Sequence, residues 1–169
     1  MKRSGHPAVR RPLNGRRNIL STIGGINASG APRAPACPNP SRWKPAHARP
    51  PHIRVNDLDG MAAYYERVMG TLGYHKGVEC PGGVQFVNDE DGDAVWISPA
   101  KEGVPVAPGH YAWRAKSAEA VRAFYEAALD GGTDNGAPGP RDYHPGYYAC
   151  FMLDPEGNNI EAVIHDYQA

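Results

Sequence analysis

The stretch F-M-L-D-P-E-G-N-N-I-E-A-V-I-H, residues 151–165, decides the fold of this chain. Two apolar runs flank residues 154–157, which are of the types that form tight turns. After the turn, residues 160–164 follow the two-residue period of a strand, with Glu161 at the centre. The stretch therefore predicts two strands joined by a tight turn, with one carboxylate aimed inward.

Glu161 needs a physical explanation, because an acidic residue in the middle of an apolar strand is costly to bury. An ionised carboxylate inside a protein must be compensated by a cation, a network of donors or a metal. Two alternatives follow from the sequence: Glu161 lies at an exposed rim, or it has a function.

The composition divides the chain in two. The 169 residues contain 18 Lys plus Arg and 18 Asp plus Glu, and the apolar fraction of 41% suffices for one core. Residues 1–50 carry ten basic residues, eight of the 17 prolines and no acid. We predict a disordered basic, proline-rich arm over residues 1–50 and one folded domain over residues 51–169.

The arm has several interpretations. Its arginines could contact nucleic acid, but a charge run alone supports that weakly, so we do not expect a nucleic-acid partner. An organelle-targeting peptide is a second interpretation. We favour the third, which is that the arm is an inert tail or a spurious segment from an upstream or shifted reading of the gene. The chain contains no apolar run of about 18 residues, so no membrane span is predicted and a cytoplasmic location is expected. The three cysteines show no paired spacing.

Residues 51–169 contain an internal repeat with an offset of sixty residues. Arg54 matches Arg114, and residues 64–66 match residues 124–126 inside two helical patterns. Ser117 is the predicted N-cap of the second helix. Strand patterns before and after each helix give a β-α-β-β-β unit used twice, and the turn alignment places Trp96 where the second half has Glu161.

This arrangement resembles the vicinal oxygen chelate superfamily, the glyoxalase, bleomycin-resistance and extradiol-dioxygenase group. The resemblance covers about residues 50–166 and rests on His110, on A-F-Y-E-A-A-L in the second helix and on D-P-E-G-N-N-I-E-A-V near the end. It implies an α+β fold in which two β-α-β-β-β units form a curled mixed sheet around one cavity. The scaffold hosts lyases, dioxygenases, thiol transferases and metal-free drug-binding proteins, so it does not fix the reaction.

The resemblance implies up to four metal-ligand positions, on the first and last strand of each unit. His110 and Glu161 match in the second unit, whereas Pro50 and Trp96 stand at the corresponding positions of the first. His52 lies two residues after Pro50 and should face the same side of the strand. The expected ligand set is His52, His110 and Glu161 around Zn, Mn, Ni or Fe; the alternative is that no metal is bound.

Further residues are candidates for the chemistry. Glu161 and His144 are the proposed catalytic acid or base groups, since an imidazole titrates near neutrality. The plain structural alternative for His144 is a surface histidine in a turn, and for the aromatic candidates it is a place in the core. The predicted substrate-binding residues are Arg54, Trp96, Arg114, Tyr147 and Tyr148.

The functional expectation is a glyoxalase-like protein that chelates neighbouring oxygens of a small organic substrate through a divalent metal and moves a proton, as a lyase or isomerase. The alternatives are a metal-free, bleomycin-resistance-like binding protein and an extradiol-type dioxygenase. A small molecule is the expected partner, and a homodimer is an open alternative to a monomer.

Overall fold

A computed structural model describes residues 50–168, so the predictions for the basic arm, except at its last residue, lie outside the described part. The described residues form two helices and eight strands. In chain order they are β1 (His52–Val55), α1 (Leu58–Gly70), β2 (His75–Cys80), β3 (Gly83–Asn88), β4 (Asp93–Pro99), β5 (His110–Arg114), α2 (Ala118–Leu129), β6 (Thr133–Pro140), β7 (Tyr148–Leu153) and β8 (Asn159–Ile164). Across these residues, no helix is long and apolar enough to cross a membrane.

The strands form two four-stranded mixed sheets with the same topology. The first has the order β1-β4-β3-β2 and the second the order β5-β8-β7-β6. In each sheet the first strand runs parallel to the last strand of its unit, and the remaining pairs are antiparallel. The predicted α+β class and the two β-α-β-β-β units are confirmed.

Strand β6, Thr133–Pro140, carried no strand pattern in the sequence. Its eight residues T-D-N-G-A-P-G-P include two glycines and two prolines, which are depleted in strands. It lies at the sheet edge, where proline is tolerated, and its register with β7 shifts twice. Pairing with the apolar strand β7 therefore overrides the local composition.

Both helices begin at a side-chain cap and bury one face. The Asp57 side chain accepts from the Gly60 backbone N–H, and Ser117, the predicted cap, accepts from Ala120 N–H. The buried helix residues are Met61, Ala62, Tyr64, Tyr65, Val68 and Met69 in α1, and Ala118, Val121, Phe124 and Ala128 in α2. Together with one face of each sheet they make a single apolar core.

The two units are joined through this core and through the turn between β7 and β8. Tyr65 of α1 lies edge-on to Trp113 of β5, with ring centroids 6.3 Å apart, and its hydroxyl donates to Asp154 Oδ2 at 2.7 Å. Glu156 accepts from the backbone N–H groups of Asn56 and Asp57 at 2.7–2.9 Å. The turn that decides the fold is thus also a contact between the units.

The turn itself has the predicted form. Asp154 Oδ1 accepts from the backbone N–H of Glu156 and of Asn158 at 2.9 and 2.8 Å. Gly157 has a φ of 86°, which only glycine adopts without strain. Strands β7 and β8 therefore emerge in fixed register, with Glu161 opposite Phe151.

Candidate functional site

Glu161 is buried in the middle of the second sheet, with 2% of its surface exposed. It lies beside Ala112 of β5 on one side and Phe151 of β7 on the other. The neighbouring residues Ile160 and Ala162 face the helix side and belong to the main core. Glu161 therefore points to the opposite face of the sheet, and its burial excludes the alternative of an exposed rim position. A carboxylate at this depth requires donors.

His110 supplies the first donor. Its Nε2 lies 2.9 Å from Glu161 Oε2, and its side chain remains 54% exposed. The position of His110 at the start of β5 is fixed by its neighbour, because Gly109 N–H donates to Asn158 Oδ1 and Asn159 N–H donates to Gly109 O, both at 2.9 Å. The turn before β8 thus sets the place of His110 as well as that of Glu161.

Tyr147 supplies the second donor. Its hydroxyl donates to Glu161 Oε1 at 2.5 Å, and burial together with this hydrogen bond raises the pKa of Tyr147 to about 12. Its ring packs against a small apolar cluster separate from the main core, formed by Ala149, Phe151 and Val163. Both oxygens of the buried carboxylate are therefore engaged, one by an imidazole and one by a phenol.

With Glu161 ionised, the hydrogen bond to His110 determines which ring nitrogen carries the proton. An ionised carboxylate can only accept, so Nε2 of His110 must carry a proton and donate it to Glu161. In neutral imidazole the other nitrogen, Nδ1, is then an acceptor. The arrangement is a carboxylate–histidine dyad on a half-exposed ring, which is suited to taking up and returning a proton.

His144 lies next to this trio without a hydrogen bond to Glu161. Its ring lies edge-on to Tyr147 with centroids 5.1 Å apart, and its Nε2 lies 3.1 Å from Nδ1 of His165. His165 also lies edge-on to Tyr147, at 5.1 Å. Tyr147 therefore connects the Glu161 dyad to a pair of histidines at the end of β8.

The first sheet has a different arrangement at the equivalent place. His52 lies directly beside Trp96 in the parallel register, and the two rings are stacked with centroids 6.1 Å apart. Ser98 Oγ is 3.3 Å from His52 Nδ1. Burial, and then the charge of Arg54, lower the pKa of His52. His52 therefore has neighbours in its own sheet, Trp96 and Ser98.

The other predicted substrate-binding residues are dispersed. Arg54 donates to Pro99 O at 3.2 Å, and Arg114 is exposed two positions further along the face of β5 that carries Ala112. Tyr148 contacts the ring of Tyr167 and its hydroxyl accepts from Arg122, on the helix side of the sheet. Because neighbouring strand residues face opposite sides, Tyr147 and Tyr148 do not share a surface.

The structure brings Glu161, His110 and Tyr147 together, and His144 contacts this group through the ring of Tyr147. No group of three or more His, Cys, Asp or Glu within residues 50–168 is placed to hold a metal ion. The pair His110 Nε2 and Glu161 Oε2 is close enough for two ligands of one ion, but the set His52, His110 and Glu161 is not assembled.

The sequence interpretation missed His165 and Phe151. His165 lies four residues after Glu161, and a strand repeats its facing every two residues, so the alternation could have placed it on the same face. Phe151 lies opposite Glu161 in β7, and its ring is 6.2 Å from that of His110. Its role depends on strand register, which the isolated β7 pattern does not reveal.

Comparisons with known proteins show which family the chain resembles. Residues 44–162 match the model of the Glyoxalase/Bleomycin resistance protein/Dioxygenase superfamily. A glyoxalase/bleomycin resistance protein from Albidiferax ferrireducens T118 is 30% identical, with a TM-score of 0.59 over 67% of this chain and 93% of its own. No curated protein matches the chain.

A second solved structure, a glyoxalase-related enzyme from Fulvimarina pelagi, shares the fold at 16% identity. Its TM-score is 0.54, over 69% of this chain and 86% of its own. The matched residues make up most of the chain and cover both β-α-β-β-β units except the last two residues of β8. The chain therefore belongs to the glyoxalase, bleomycin-resistance and dioxygenase superfamily.

Proposed function

We propose that this protein is an enzyme of the lyase or isomerase type that moves a proton on a small carbonyl compound, with His110 as the group that exchanges the proton. The observation that carries the proposal is the 2.9 Å contact between His110 Nε2 and the buried carboxylate of Glu161. A carboxylate in this position orients the imidazole and stabilises the imidazolium when it forms.

The proposed step needs no oxidant or reductant. Nδ1 of His110 accepts a proton from a carbon next to the carbonyl group, and the electron pair of the broken C–H bond moves into an enolate. In an isomerisation the imidazolium then returns the proton to the neighbouring carbon or to oxygen. In a lyase reaction the electron pair of the enolate instead expels a leaving group from the next carbon, and the imidazolium gives its proton to that group. Glu161 is a positioning residue in this step, and Tyr147 fixes its second oxygen.

Membership of the family raises the expectation of a bound divalent metal. The side chains of His110 and Glu161 fit such an ion in part. His110 and Glu161 are 2.9 Å apart, but Trp96 offers no ligand atom where the first unit would need a carboxylate. A complete three-ligand site is not formed by the described residues. We therefore derive no step through a metal, and the binding of one stays a prediction.

A second candidate is a metal-free protein that binds a planar organic molecule. The observation in its favour is the stack of His52 on Trp96, an aromatic pair where the second unit has Ala112 and the carboxylate of Glu161. Such a protein would show ligand-induced quenching of tryptophan fluorescence that persists in chelator. Loss of the quenching after chelation would count against it.

Proton exchange at carbon tests the proposed activity without knowledge of the product. The full chain is incubated in D₂O with a panel of small hydroxycarbonyl and dicarbonyl compounds, and the loss of C–H signals is followed by NMR. We expect exchange with at least one compound, and a decrease of about 10²- to 10⁴-fold in the His110→Ala variant, the range typical of general acid–base groups.

Two controls make the outcome decisive. His75→Ala removes a surface histidine that pairs with Asp89 and should leave the exchange rate unchanged. Repeating the measurement with a chelator separates metal-dependent from metal-independent exchange, because exchange that disappears with chelator would require a metal. Exchange that persists in His110→Ala, or an intact protein without exchange on any compound, would contradict the proposal.

A further inference from the structure

His144 and His165 form a pair beside Tyr147, and the proposed proton transfer makes no use of it. Nε2 of His144 and Nδ1 of His165 are 3.1 Å apart, and the ring centroids are 5.3 Å apart with planes inclined by 19°. Two nitrogens at this distance either share a proton or are neighbouring ligands of one ion.

The hydrogen bonds around His144 identify which of its ring nitrogens is unprotonated. Nδ1 of His144 is 2.8 Å from the carbonyl oxygen of Pro145, and a carbonyl can only accept. Nδ1 must therefore carry the proton of the neutral ring, which leaves Nε2 as an unprotonated nitrogen directed at His165. A backbone carbonyl that fixes the tautomer in this way is the usual outer support of a metal-binding histidine.

The backbone holds the two rings at this separation. Gly146 has a φ of 81°, and a Cβ at this position would lie 2.9 Å from the carbonyl oxygen of His165. The N–H of Tyr167 donates to Gly146 O at 3.0 Å, and that of Tyr147 donates to His144 O at 3.2 Å. The loop with His144 is therefore clamped against the end of β8 that carries His165.

The ring of Tyr147 supports both imidazoles from the side. It lies edge-on to each of them, at 5.1 Å from His144 and 5.1 Å from His165. Both histidines are exposed, so an ion can reach them from solvent. The two rings are thus held in place and accessible at the same time.

We propose that His144 and His165 form a binding site for a borderline divalent ion of the zinc class, distinct from His110 and Glu161. Binding displaces the single ring proton of His165 from Nδ1, and this proton moves through solvent to Nε2 of the same ring, so that both imidazoles bind as neutral ligands. Imidazole nitrogens suit zinc at bond lengths of about 2.0–2.1 Å, and water completes the coordination. The ion would tie the loop of Tyr147 to β8.

Calorimetric titration of Zn²⁺ into the full chain, after chelator treatment and removal of the chelator, tests the site. We expect one equivalent to bind, and the affinity to fall by at least about tenfold in His144→Ala and in His165→Ala. Gly146→Ala retains both imidazoles but displaces the loop, and should weaken binding in the same direction. The far-ultraviolet spectra of the variants check that they are folded.

The controls separate this site from the proposed catalytic dyad. His75→Ala and His110→Ala should each retain the equivalent, and so should a chain in which both histidines of the basic arm, His6 and His47, are replaced by alanine. Absence of zinc binding to the intact chain overturns the proposal. The proposal is also overturned if zinc binding is lost in His110→Ala or in the variant without His6 and His47, while His144→Ala still binds zinc as the wild type does.

Discussion

Trp96 occupies in the first sheet the place that Glu161 occupies in the second. Trp96 lies beside His52 in the parallel pair of β1 and β4, and Glu161 lies beside Ala112 in the equivalent pair of β5 and β8. His52 and Ala112 are sixty residues apart, which is the offset of the repeat. The two units therefore share one fold but carry different chemistry, an indole in one and a carboxylate in the other.

Replacing the buried carboxylate should destabilise the protein. Glu161→Ala leaves His110 and Tyr147 without their acceptor, and removing a charged hydrogen-bonding group typically costs about 1.5–3 kcal/mol. Urea unfolding checks the value. The matched control is Glu79→Ala, which removes an exposed carboxylate 3.6 Å from Lys76 and should change the stability little. Equal effects of the two substitutions would contradict the network.

Glu156 should contribute to stability as a connection between the units. It accepts from the backbone N–H groups of Asn56 and Asp57, at the start of α1. Glu156→Ala should lower the free energy of unfolding by about 1–3 kcal/mol, because these amides lose their partner. Glu102→Ala, in an exposed loop, is the control. A neutral Glu156→Ala would show that the contact is not formed in solution.

Alkaline pH should destabilise the protein partly through Tyr147. Its pKa is raised to about 12 in the folded state, against a usual value near 10, so the folded chain holds the phenol proton more tightly. The stabilisation is fully present below about pH 10 and is lost as the pH rises toward about 12. Tyr74, whose pKa burial also raises to about 12, acts in the same direction.

The Tyr147→Phe variant isolates that contribution. Unfolding midpoints measured between about pH 9 and pH 11.5 should fall less steeply in Tyr147→Phe than in the wild type, since phenylalanine has no proton to lose. Tyr143→Phe changes a neighbouring tyrosine that is 68% exposed, and serves as the control. If the pH dependence of the midpoint is the same in Tyr147→Phe and in the wild type, the wild-type hydroxyl does not bind Glu161.

Cys150 should be unreactive in the folded protein. It is fully buried in β7, and burial raises the pKa of its thiol to about 11, so little thiolate forms near neutral pH. Iodoacetamide at about pH 8 should leave Cys150 unmodified in the native chain and modify it in urea, as mass spectrometry of the peptide would show. Rapid native modification would mean that β7 opens easily.

Local pattern was sufficient for much of the architecture. The turn at residues 154–157 carries its own signals, and the sixty-residue offset links the two units without knowledge of contacts. The correspondence of Trp96 with Glu161, derived from the turns, is confirmed by strand register. His110 and Glu161 are close because parallel neighbouring strands bring the two positions together, as the family resemblance implied.

Tertiary contacts determined the features that pattern did not reveal. Strand β6 consists of residues with low strand propensity and forms because β7 offers its edge. Tyr147 precedes the first residue of β7, so whether it or Tyr148 joins the site depends on where the strand begins. The His144–His165 pair depends on a loop that folds back on β8, which no local period encodes.

Nitrogen NMR of the histidine side chains tests the central claim most directly, since it needs no substrate. If Glu161 accepts from His110, the wild-type spectrum of the neutral imidazole will show Nε2 of His110 protonated and Nδ1 unprotonated. In Glu161→Ala this preference should disappear. A wild-type His110 that carries its proton on Nδ1, or a tautomer unaffected by Glu161→Ala, would contradict the dyad.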